Sequence, residues 1–136
     1  MSALPPRQLV TLPGRSVDLG LDAARVVQVA LAREWMDVAP LDLAGRLGWE
    51  REAPEADGER QERVLVVRSL QGDVPVRASG KVGLRSTDAP NVLELPGEVL
   101  RGNAVTALSG VVIEEGKRPL LLLAPEGLWH LFQLSD

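Results

Sequence analysis

A chain of 136 residues with 45% apolar content has the length of one domain and enough apolar material for a core of its own. It has no cysteine, which excludes disulfides and thiolate metal sites, and 3% aromatic residues are too few for a base-stacking platform. The formal net charge of −4, with arginines scattered singly among acids, argues against a nucleic-acid partner, since such binding draws on clustered Lys and Arg.

Gln8–Leu12 alternates apolar and polar residues and is followed by the turn Pro13-Gly14-Arg15. Ser16–Leu21 then sets Val17, Leu19 and Leu21 on one strand face, so a first hairpin is expected. Asp22 is placed to cap a helical turn over Ala23–Val27. Val26, Val27, Val29 and Leu31 suit a strand or a buried turn. Arg33–Asp37 reads as a polar connection, and Val38–Leu43 as a short extended piece. Leu43–Leu47, with Gly48 behind it, resembles a one-turn helix. Residues 50–62 are dense in Glu, Arg, Asp, Pro and Gly and read as a solvated loop.

Arg63–Arg68 is a continuous apolar run bounded by charge, as in a central strand. Gln71-Gly72-Asp73 turns the chain, and Val74–Ala78 returns with Pro75 at an edge or bulge. Lys81–Arg85 is expected to continue that sheet, and Asp88–Asn91 and Leu95–Glu98 to be loops. Val105–Ile113 and Leu120–Leu123 form a last hairpin about Glu114-Glu115-Gly116-Lys117, where Gly116 supplies positive φ. Ala124–Trp129 reads as a stop sequence. A loose echo between the halves suits two similar small barrels, so the fold class is mainly β with a few short helical turns. No apolar run approaches a membrane span and Met1–Arg7 lacks a signal-peptide core, so a cytoplasmic protein without direct membrane insertion is expected.

Catalytic chemistry needs convergent groups that transfer protons, attack or ligate. His130 is the only histidine, and beside Trp129, Leu131 and Phe132 it reads as packing or surface. Glu114 and Glu115, in a turn next to Lys117 and Arg118, read as solvated. Pro13–Ser16 lacks the phosphate-loop spacing, and Ser79-Gly80 and Ser109-Gly110 lack the Gly-x-Ser-x-Gly elbow. No enzyme, no cofactor and no metal site is expected; protein binding is, at strand edges and apolar grooves.

The order of these segments resembles the CheW-like chemosensory coupling module. The resembling residues are Gly14–Val27, Pro40–Leu43, Arg63–Arg68, Gly80–Leu84 and Ser109–Leu128, nearly the whole chain. Each motif is short and apolar; their order carries the likeness. It implies one CheW-like domain, 1–136, of two small SH3-like five-stranded β-barrels packed together. Residues about 8–48 would contribute to the first barrel and 63–128 mostly to the second. It also implies a non-enzymatic signalling adaptor that couples the cytoplasmic tip of a chemoreceptor to the regulatory domain of a histidine kinase, or to other CheW-like proteins. The receptor tip would meet Ala24, Val27, Val82 and Leu84 in the groove between barrels. The runner-up is a structural or oligomerisation module built from the same barrels.

The chain departs from the family pattern in places. Only Gln28–Pro40 stands where the family carries an Asn-Leu-Arg-Gly hairpin, so the first barrel is expected to be shortened and kinase docking weakened. Val26 replaces the usual Glu of Arg-Glu-Val, and Ala124 a frequent Asp. The shortening resembles that of the second CheW-like adaptor of the frizzy motility system.

Overall fold

Leu9, Val10 and Leu12 give the first strand a side chain to bury on each face, and Arg7–Leu12 (β1) pairs antiparallel with Asp18–Asp22 (β2), Leu9 opposite Asp22 and Leu12 opposite Leu19. The computed structural model describes residues 7–15, 17–43, 62–78, 82–88, 92–94 and 107–133. Most of the helical turn expected over 43–47 and most of the loop expected over 50–62 lie outside them.

Asp22 caps the next turn as expected: its Oδ1 accepts from the Ala24 N–H at 3.0 Å, opening a 3-10 turn over Ala23–Arg25. The chain then leaves the first sheet. Val26–Leu31 (β3), Arg63–Arg68 (β4) and Asp73–Ala78 (β5) form an antiparallel three-stranded sheet with β4 in the centre, which is why its apolar run is unbroken. Pro75 lies on the edge strand. On its outer side Leu41 bridges to Val76, donating to the Pro75 carbonyl at 2.8 Å and accepting from the Arg77 N–H at 2.9 Å.

Gly83–Thr87 (β6) does not continue that sheet, contrary to expectation. The β5 edge is occupied by Leu41, and β6 pairs with β1 instead, Leu84 opposite Val10. Val92–Glu94 (β7), Leu108–Val112 (β8) and Leu120–Leu123 (β9) complete a six-stranded sheet in the order β6-β1-β2-β9-β8-β7. Its β2–β9 pair is parallel and the others are antiparallel. At three residues, β7 is too short to show in the sequence pattern. The last hairpin forms about Gly116, φ 77°, with the Lys117 N–H donating to the Glu114 carbonyl at 3.1 Å. Strands from 7–22 and 83–123 share one sheet, so sheet membership cuts across the segments 8–48 and 63–128.

The fold is mainly β, with two sheets among the described residues, as the sequence implies. Two cores hold it. Between the sheets, Val10, Leu12, Leu19 and Leu21 meet Leu65, Val67, Val74 and Val76, with Leu41 and Leu43 beside them. Inside the curl of the larger sheet, Leu9, Val112, Leu120 and Leu122 form a second cluster. Full burial of each such side chain is worth about 1.5–3 kcal/mol.

Residues 125–133 correct the reading of a stop sequence. Pro125–Gln133 is an α-helix (α1) that seats Leu128 and Leu131 in the first core. Pro at the first helical position lacks only an N–H that would be orphaned anyway, so Pro-Glu-Gly starts this helix instead of barring it. Trp129 lies on the β4–β5 turn, where a Cβ on Gly72 would stand 2.7 Å from its ring. Ser69 holds that turn, donating through Oγ to the Gly72 carbonyl at 2.6 Å. Gly72→Ala is therefore expected to push α1 off the turn and destabilise the fold by about 1–3 kcal/mol, read as an earlier urea midpoint and altered Trp fluorescence.

Candidate partner-binding surface

The two places where the chain passes between sheets carry the four residues implicated by the sequence. The first passage, from β2 to β3, contains Ala24 and leads directly to Val27; the second, from β5 to β6, contains Val82 and leads directly to Leu84. Ala24 is exposed on the turn that Asp22 caps. Val27 is 41% exposed at an irregularity of β3 between Val26 and Gln28. Leu84 is 77% exposed on edge strand β6. Val82 differs from the other three: it is half-buried and packs against the first core. Leu84, Val10 and Leu21 lie abreast on neighbouring strands, so two strand spacings, about 10 Å, separate Leu84 from the β2 end that leads to Ala24.

Several exposed apolar residues escape the sequence pattern. Val29 is 53% exposed, and Met36 and Val38 beyond it are exposed as well. An apolar residue on an edge strand has the same spacing as one in a central strand, so no periodicity could have separated them. The Trp35 indole N–H donates to the Val38 carbonyl at 2.8 Å and fixes this segment.

The opposite face of the larger sheet, inside its curl, is held by charge. Glu114, expected to be solvated, has a side chain only 15% exposed. It accepts from Arg85 Nη2 at 2.9 Å and Nε at 3.2 Å, while Arg85 Nη1 donates to the Arg118 carbonyl at 3.1 Å. Arg118 in turn donates to the Gly14 carbonyl at 2.5 Å and lies 3.6 Å from Asp18. This chain of contacts ties β6, the last hairpin and the β1–β2 turn together and curls the sheet. Glu115 stays exposed.

Hydrogen bonds from Arg85 hold the Glu114 carboxyl below its ordinary 4.5. A carboxylate with a depressed folded-state pKa contributes stability above its unfolded value that is lost as pH falls through the folded one. The stability difference between the wild type and Glu114→Gln is thus expected to be full at neutral pH and to shrink below 4.5, as read from urea midpoints across pH.

His130 is exposed near the end of α1. Among the described residues no three His, Cys, Asp or Glu side chains come together as a metal site, and no helix is long and apolar enough to cross a membrane. A small polar cleft of about 250 Å³ lies between Arg7, Asp22, Arg25, Ser109 and the start of α1 at Glu126. Two arginines and two carboxylates line it.

No family model and no curated protein matches the sequence. Among solved structures, the chain is similar to the scaffolding protein TtCheW from Thermoanaerobacter tengcongensis. The TM-score is 0.61 over 88% of this chain and 89% of that one, at 14% identity. The fold is CheW-like. At 14% identity the likeness speaks for architecture alone: a CheW-like arrangement of two β-units.

Proposed function

We propose that this CheW-like chain is a non-enzymatic chemosensory signalling adaptor of the cytoplasm, one that works without a cofactor. It binds the cytoplasmic tip of a chemoreceptor and couples it to a histidine kinase. The observation that supports this most is the likeness in fold to a scaffolding protein over nearly nine-tenths of both chains. Exposed apolar side chains at the passages between the sheets support the same reading, because a helical receptor tip needs apolar anchors in a groove. Ala24, Val27 and Leu84 are the proposed contacts, with Val82 supporting Leu84 from the core side.

The segment Gln28–Pro40 is short for the family, and we assign to that shortening a weakened docking of the kinase, as in the truncated adaptor of the frizzy motility system. Titrating the purified chain with a receptor signalling fragment, and separately with the kinase regulatory domain, tests both parts. Receptor binding with weak or absent kinase binding is the expected result. Tight kinase binding without receptor binding would overturn the reading.

A further inference from the structure

The two edges of the three-stranded sheet are treated differently. The β5 edge is covered by Leu41, whereas β3 has no strand against its outer side among the described residues. Its side chains confirm the exposure, with Val27, Gln28 and Val29 open to solvent. Natural edge strands are blunted by charge, proline or extreme shortness. The six residues Val26–Leu31 contain neither a charge nor a proline. An irregularity between Val26 and Gln28 is the one protective device, and it leaves the stretch after it regular.

Backbone phase shows which groups this edge offers. The Ala32 N–H donates to the Glu62 carbonyl at 2.8 Å, so Ala32, Ala30 and Gln28 point their backbone groups at β4. By antiparallel alternation Val29 and Leu31 point theirs outward. Val29 shares the face of its partner Leu65, which looks into the first core, and yet it is half exposed at that core's rim. Beside the end of β3 lies an apolar-walled hollow of about 290 Å³, lined by Leu31, Ala32, Arg33 and Glu62.

We infer that β3 pairs antiparallel with β3 of a second copy of this chain, with Val29 on the two-fold axis. This register brings outward-facing groups opposite each other and sets Val27 of each copy against Leu31 of the other. Val27 then enters the hollow, and Val27, Val29 and Leu31 all meet apolar partners. A shift of two residues would put Val27 opposite Arg33 instead. A two-fold contact is self-complementary and closed, so it ends at the dimer and joins two three-stranded sheets into one of six. The inference does not rest on receptor binding; it buries Val27, so self-pairing and a partner at Val27 compete.

Sedimentation of the full chain across concentration tests it. An edge-to-edge contact is small, and interfaces below about 1,200 Å² are weak, so a monomer–dimer equilibrium is expected in the micromolar to millimolar range. Val29→Pro removes an outward N–H and no bond to β4, and is expected to give a monomer with unchanged far-UV circular dichroism. Should that variant fail to fold, Val29→Lys serves for it. The chain has no cysteine, so Val29→Cys is expected to cross-link to a dimer under mild oxidation while Leu70→Cys, exposed on the β4–β5 turn, does not. A mass independent of concentration, a dimer that survives Val29→Pro, or equal cross-linking through Leu70→Cys would overturn the inference. So would a monomer that loses receptor-fragment binding on Val29→Lys, which would give the edge to that partner.

Discussion

Leu65→Ala is expected to lower the unfolding free energy by about 2–5 kcal/mol, measured by urea denaturation with circular dichroism. Leu65 is fully buried on the central strand of the smaller sheet and faces the larger one across the first core. It is flanked by Val29 and Val76, which are fixed by backbone pairing and cannot follow it inward, so a cavity stays behind. Domains of this size have a total stability of about 5–15 kcal/mol, so the variant is expected to be marginal at 37 °C. A loss below about 0.5 kcal/mol, the range of surface changes, would mean that the two sheets do not share this core.

Leu84→Ala separates binding from folding. Leu84 is 77% exposed, so its truncation is expected to change stability by no more than about 0.5 kcal/mol. If it anchors a receptor tip, the same change weakens binding about tenfold, equal to about 1.4 kcal/mol. Titration calorimetry with a receptor signalling fragment reads one effect and thermal unfolding the other. Val82→Ala is expected to behave differently, lowering stability as well as affinity, because Val82 packs against the core. Unchanged affinity in Leu84→Ala, with an intact fold, would remove β6 from the proposed surface.

The two predictions draw on different kinds of information. That Leu65 is buried follows from Val-Leu-Val-Val between two arginines, a run that only a covered strand carries. The first hairpin, the Asp22 cap, the edge position of Pro75 and the turn at Gly116 follow from equally local chemistry. Each depends on a few neighbouring residues and on how their backbone can be bonded. The helix α1 could also have been read from the spacing of Leu128 and Leu131; Pro125 obscured it because proline both stops and starts helices.

The candidate surface was legible only as a set of names. Val27 and Val29 share the apolar character and spacing of buried strand residues, and what exposes them is that β3 lies at an edge. Glu114 looks like any turn carboxylate until β6 is found beside β1, which brings Arg85 to it from 29 residues away.

By itself, then, the sequence determined the mainly β character, most strands, the turns between them and the absence of thiol chemistry, because period-two burial, capping and positive φ act between near neighbours. Tertiary structure alone decided that β6 crosses to the larger sheet, that Arg85 locks Glu114, and that one edge of the smaller sheet is covered while the other has no strand against it among the described residues. Those outcomes depend on which distant segments pair best along each free edge, a competition that no local pattern records.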